Sequence, residues 1–346
     1  LNDAQTQQIP VEPELRERIA RTMRFDDWTQ LEQHMRIGQA NVMHHFNALF
    51  DAAPEQSPEE RSLSARQSAD PQNDDWAALW ARFDSPQEIS DVYARMETNP
   101  RQNQLPERSL IRYKQLVNAS AQILVNRYPN QIIPMEWLQR IWNFLDAISR
   151  RSSYLALLIE YPKALERLVE LLASSRFVAD YLTAHPILLD ELLNVEQLHR
   201  APDWPALQTH LNQLLNHAKH HDGKPDVERQ MDILRENHHS QVFRLLVQEL
   251  DGLWTVEQLA DHLSDLTDVM LNAALYQCWD AFAKKHRDVP KFAIIAYGKL
   301  GGKEMGYASD LDLVFVFDDP AQEALEVYSR FAQRLNNWLT APTGAG

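Results

Sequence analysis

The sequence predicts a mainly α chain, a helical bundle that gives way near residue 290 to the start of an α/β segment. Three observations carry that reading. Only nine of the 346 residues are glycine, against about 7% in an average protein. Residues 1–297 hold just Gly38, Gly223 and Gly252, and a sheet protein of this size would need many more positive-φ positions at its hairpins. Through that stretch apolar residues recur at spacings of three and four, and at Pro290 the pattern switches to two short apolar runs flanking Gly298, Gly301, Gly302 and Gly306.

Taken in order, residues 11–51 read as two helices, the first opening near Pro13 and the second entered through Asp26-Asp27, whose carboxylates can cap free amides. Residues 52–73 carry three prolines and one large aliphatic residue, Leu63. They cannot bury enough to fold alone and form a linker. Ser85-Pro86 marks a helix start. Leu110, Tyr113, Val117, Ala121 and Leu124 form one stripe of a helix over 106–127, and Trp137, Ile141, Leu145 and Ile148 one face of a helix from Pro134. Ser152 to Asn194 is dense in leucine and broken at Pro162 and Pro186, which predicts short helices packed at angles. Val256, Leu259, Leu263, Leu266 and Met270 predict a long helix running to about Lys285, with Cys278 a buried small hydrophobe. Lys291–Tyr297 and Leu311–Phe317 have strand length and composition. Residues 321–340 return to helix, with Leu325, Tyr328, Phe331, Leu335 and Trp338 on one side. The expected units are therefore 1–51, the linker 52–73, a helical region 74–289, and 290–346.

Composition excludes several functions. No apolar run approaches the ~20 residues of a membrane span, and the start has no signal-peptide layout, which predicts a cytoplasmic protein without a membrane partner. A single cysteine rules out an intrachain disulfide and a cysteine-based zinc site. A net charge of −15 opposes a nucleic-acid backbone as partner. His217, His220, His221 and the His238-His239 pair match no zinc spacing and read as solvated surface.

The chemistry concentrates in Tyr297–Phe315, YGKLGGKEMGYASDLDLVF. An ATPase phosphate loop is excluded because Tyr297 stands at its first glycine position and Glu304 where Ser or Thr is needed. A dinucleotide fingerprint is excluded because Leu300 occupies its second glycine position. What remains is a strand, a Gly-Gly turn and a second strand opening Ser-Asp-x-Asp. Residues two apart on a strand share a face, so Asp310 and Asp312 should stand side by side with Leu311 turned into the core. Two hard oxygen ligands suit Mg²⁺, which binds through one or two carboxylates plus substrate phosphates. Gly301 and Gly302 leave room for close approach of phosphate oxygens, and Ser309 with Lys299 or Lys303 adds donors or positive charge. The bland alternative is a pair of strand-capping aspartates beside an ordinary hairpin. Against it, aspartate is depleted from strands, and a like-charged pair costs energy unless a cation offsets it. The chemistry implied is nucleotidyl transfer from a nucleoside triphosphate.

At these residues the chain resembles a known family. AYGKLGGKEMGYASDLDLVFVFD is similar to the signature of the bifunctional glutamine synthetase adenylyltransferases, and Gly306-Tyr307 before Ala308-Ser309 resembles the second, adenylylating half. Residues 25–51 and 154–193 are similar to helical stretches of the same family. The resemblance implies that residues 290–346 begin a nucleotidyltransferase domain of polymerase-beta-like fold, truncated here, after a helical regulatory or connecting region. It implies transfer of AMP from ATP to a tyrosine hydroxyl of glutamine synthetase, with the parent protein removing AMP through its other half. Glutamine and the PII signal protein would be its regulators. Asp310 and Asp312 would be the catalytic, metal-binding carboxylates, and Gly298, Lys299, Gly301, Gly302 and Ser309 the nucleotide contacts. A third carboxylate follows a Thr-x-x-Gly turn in the family. Thr343-Gly344-Ala345-Gly346 resembles that turn and ends the sequence, so this piece alone is expected to be inactive or nearly so. Two alternatives stand beside this reading: a regulatory helical module that binds PII or glutamine without catalysis, and a nucleotidyltransferase with a different hydroxyl acceptor.

Overall fold

The computed structural model describes residues 13–23, 25–35, 78–88, 105–194, 198–341 and 343. The predicted linker 52–73, the end of the second predicted helix and the Gly344–Gly346 turn lie outside them. The chain divides into two units, Leu1–Arg66 and Gln67–Gly346. In the first, α1 spans Pro13–Thr22 and residues 28–35 are helical. Asp27 caps that second helix as expected, its Oδ1 accepting the Gln30 N–H at 2.9 Å.

The second unit is built on two apolar clusters. Helices α2 (Glu107–Arg127), α3 (Met135–Ile148), α4 (Ser152–Glu160), α5 (Pro162–Ser174) and α6 (Arg176–Ala184), with a 3-10 helix over Pro186–Leu193, enclose the first. Pro162 and Pro186 each open a helix, while the break between α5 and α6 has no proline. There Ser175 starts α6 by accepting the Val178 N–H at 3.3 Å. The second cluster gathers α7 (Trp204–His217), α8 (Val227–Leu250), α9 (Val256–Asp280), and α11 (Ala324–Thr340). Asp203 and Asp226 cap α7 and α8, and Thr255 with Gln258 forms a reciprocal capping box at the start of α9. α8 reaches both clusters: its Ile233, Leu234, Val242 and Leu245 lie in the second and its Phe243, Leu246 and Val247 in the first. No described helix is long and apolar enough to cross a membrane.

Two strands, β1 (Phe292–Ala296) and β2 (Leu313–Phe317), pair antiparallel with Phe292 opposite Phe317 and Ala296 opposite Leu313. Phe292, Ile294, Ala296, Leu313 and Phe315 face the second cluster. The Asp319 side chain is fully buried and ties the loop before β1 to the loop after β2 through His286 and Arg287, each at 2.8 Å. Burial opposes its charge, but hydrogen bonds from His286, the Ala321 N–H and Tyr328, with the Arg287 charge, hold its carboxyl down at about 2.

Several expectations are corrected. α9 ends at Asp280 rather than near Lys285, and Val256, at its first turn, is 75% exposed. Leu325 is exposed although its α11 stripe-mates Tyr328, Phe331, Leu335 and Trp338 are buried. In α2, Ser109 is buried where Leu110 is only half-buried, because the packed face is rotated toward Leu116 and Ser120. β2 begins at Leu313, not Leu311. His238 and His239 are not on the surface turn with His217, His220 and His221: they are half-buried in the middle of α8, packed among Tyr181 and His185. Cys278 is buried as expected, and burial pushes its thiol up to about 12.

Candidate active site

The site forms where β1 ends. Past Ala296 the ladder continues by one bond, the Tyr297 N–H donating to the Asp312 carbonyl at 2.8 Å. The chain then turns through Gly298, at φ 54°, into one helical turn, α10 (Gly298–Gly301). A glycine is required at 298 on two counts. Its φ is unfavourable for other residues, and a Cβ there would lie 2.3 Å from Asp312 Oδ2. The Asp312 carboxylate thus rests directly on the Gly298 backbone.

The glycine pair is therefore not a hairpin turn. The Gly301 N–H donates to Tyr297 O at 3.1 Å and the Gly302 N–H to Gly298 O at 3.0 Å, so both amides are spent inside the helical turn. Within this turn, the backbone donors with no acceptor among the described residues are those of Gly298, Lys299 and Leu300. Gly301 has a packing duty, since a Cβ would come within 2.6 Å of the Ala296 carbonyl oxygen. Leu300 is buried in the second cluster and anchors the turn. Lys299 is exposed, whereas the Lys303 ammonium turns to Asp265 on α9 at 3.1 Å.

From Lys303, itself at φ 53°, a loop leads to the carboxylates. Met305 is buried in the second cluster. The Gly306 N–H donates to Ser309 Oγ at 2.9 Å and the Ser309 N–H returns to Gly306 O at 3.0 Å, closing a tight turn. Asp310 and Asp312 follow, both exposed and with no side-chain hydrogen bond or ion pair to another described residue. Leu311 between them is 39% exposed, not turned into the core as the alternating strand pattern predicts, because it precedes the strand, which begins at Leu313. The structure thus brings Asp312 onto Gly298 and places Asp310 one tight turn after Gly306. No group of three or more His, Cys, Asp or Glu side chains able to hold a metal occurs among the described residues.

Sequence reasoning missed Tyr307. Its hydroxyl donates to Glu249 Oε2 on α8 at 2.7 Å, and its ring lies 5.4 Å from that of Phe177 on α6. Burial, then the Glu249 hydrogen bond and charge, raises its pKa, so the phenol remains a donor. The available signal was two apolar residues, Met305 and Tyr307, inside an otherwise polar and glycine-rich loop. Glu249 lies 58 positions away, and nothing local in the sequence marks it.

The model of the glutamate-ammonia ligase adenylyltransferase family matches residues 165–346. The bifunctional glutamine synthetase adenylyltransferase/adenylyl-removing enzyme of Aromatoleum aromaticum is 46% identical over all of this chain and 36% of its own length. Proteins of the same description from Neisseria meningitidis and Ralstonia nicotianae are 42% and 40% identical, again over the whole chain and over 38% and 36% of their own lengths. The chain spans a little over a third of the relatives it matches. With a family model covering α8 through the carboxylate loop and beyond, the chain belongs to the glutamate-ammonia ligase adenylyltransferase family.

Proposed function

We propose that this chain carries the nucleotide- and metal-handling edge of an adenylyltransferase that moves AMP from ATP to a tyrosine hydroxyl of glutamine synthetase. The observation that carries the reading is the pair Asp310 and Asp312: two exposed carboxylates without protein partners, one of them seated on a glycine that leaves just enough room for it. The donor set fits Mg²⁺, a hard cation that takes one or two carboxylates and completes its shell with water and substrate phosphates. Asp310 and Asp312 would hold the cation, and its positive charge would serve to offset the negative charge that grows on departing pyrophosphate.

The chain's own residues orient the reactants. The unspent N–H groups of Gly298, Lys299 and Leu300 and the exposed Lys299 ammonium face a triphosphate with donors and positive charge. Gly301 and Gly302 keep the turn narrow, and the Ser309 hydroxyl holds the loop closed through Gly306. The acceptor tyrosine oxygen forms a bond to the α-phosphorus, the bond to pyrophosphate breaks, and the phenolic proton leaves with a base outside this pair. On this reading residues 290–346 begin a nucleotidyltransferase domain of polymerase-beta-like fold. The helical region 74–289 answers to glutamine and the PII signal protein, which accords with the many helices that lie outside the segment carrying the carboxylates.

Incorporation of labelled AMP into glutamine synthetase by the full-length protein tests this. Asp310→Asn and Asp312→Asn are each expected to lower the rate by at least about 100-fold, the scale of losing one strong electrostatic contact in a transition state. Rates within twofold of wild type for both would overturn the assignment.

A further inference from the structure

Asp312 and Asp310 reach their places by different means. Asp312 is fixed by the ladder, through the bond from the Tyr297 N–H to its own carbonyl. Asp310 sits beyond the ladder, at the end of a loop that begins at Lys303, so its position depends on what holds that loop.

Packing holds only part of that loop. A cavity of about 280 Å³ borders the loop along Met305, Gly306, Tyr307, Ser309 and Leu311, and its other walls are side chains of α8 and α9 and the end of α11. The tether from Lys303 to Asp265 joins side chains that are 56% and 37% exposed, and such surface pairs contribute little. The firm attachments are Met305, sunk in the second cluster, and Tyr307, which packs against both clusters. Tyr307 also adds a direct hydrogen bond to a charged acceptor, Glu249, the stronger kind. Because the Gly306–Ser309 turn is closed on itself at 2.9 Å and 3.0 Å, fixing Tyr307 inside that turn fixes the residue that follows it, Asp310.

We propose that Tyr307, braced by Glu249 of α8 and Phe177 of α6, is a positioning residue that sets Asp310 against Asp312 and so couples the helical body to the metal pair. This rests on the metal reading above. Partners that orient metal ligands in this way typically change affinity by about 10- to 100-fold.

Mn²⁺ serves as the probe, titrated into the 346-residue chain with the free ion followed by its electron paramagnetic resonance signal, and folding checked by circular dichroism. Tyr307→Phe and Glu249→Ala are each expected to weaken Mn²⁺ binding about 10-fold. Glu249→Gln, which keeps an oxygen to accept the phenol proton, should stay near wild type, and the Tyr307→Phe/Glu249→Ala double variant should be no worse than either single change. Asp310→Asn marks the signal of a lost site. Wild-type affinity in both Tyr307→Phe and Glu249→Ala, with Asp310→Asn impaired, would overturn the positioning role and leave the metal pair standing. Wild-type affinity in Asp310→Asn, or no Mn²⁺ uptake by the wild-type chain, would overturn the metal reading and this proposal with it. Should Tyr307→Phe fail to fold, equal Mn²⁺ affinity in Glu249→Ala and Glu249→Gln would likewise overturn the role.

Discussion

A methyl group added at each of three neighbouring glycines would meet three different surroundings. At Gly301 it would press within 2.6 Å of the Ala296 carbonyl oxygen, a backbone atom that cannot swing aside. At Gly298 it would meet the movable end of Asp312 at 2.3 Å on a backbone held at φ 54°. At Gly302 its nearest neighbour would be 3.5 Å away, and φ is an ordinary −86°. Gly301→Ala should therefore cost about 1–3 kcal/mol, as overpacking does. Gly298→Ala should cost about 1 kcal/mol and displace the carboxylate. Gly302→Ala should be neutral or stabilise by up to about 1 kcal/mol by restricting the unfolded chain. Urea denaturation of the three variants checks the ranking, and a Gly301→Ala midpoint equal to wild type would contradict the packing at that position.

At the scale of elements, the long helices were legible because one buried face repeats every three or four residues: Leu259, Leu263, Leu266 and Met270 on α9 show it most clearly. The glycine cluster was legible as a change of backbone but not as a helical turn, since glycine permits both and the choice depends on Leu300 finding the core. The His238-His239 pair reads as surface because its polarity says nothing of the rings waiting on α6. There His239 stacks on His185 at 3.8 Å and meets the Tyr181 hydroxyl at 2.7 Å. Burial first, then the nearby His185, His238 and Arg235, lowers His239 to about 4. The unfolded chain takes up this proton near pH 6.5 and the folded one only near 4, so the contact of α8 with α6 stabilises fully above about pH 6.5 and loses strength as pH falls toward 4. The loss is at most about 3 kcal/mol and smaller after solvent screening of a half-buried ring. Urea midpoints at pH 7.5 and 5.0 should separate in that direction, and His239→Asn should narrow the gap. A gap unchanged by His239→Asn would refute the assignment.

For the whole molecule, α8 is the member that links the parts. Its Phe243 and Val247 are buried in one cluster and its Leu245 in the other. The next turn carries Glu249, which receives Tyr307. The helices and the carboxylates could each be read from local pattern, but this connection could not, because it joins residues far apart in sequence whose types are unremarkable alone. On the function proposed above, the end of β1 and its loop form a metal-dependent ATP site. Calorimetric titration of ATP into the 346-residue chain, with and without Mg²⁺ and repeated on Asp310→Asn/Asp312→Asn, tests it most directly. Binding is expected to strengthen with Mg²⁺ in the wild type and to lose that Mg²⁺ dependence in the variant; identical Mg²⁺-dependent binding by the two proteins would overturn the proposed site.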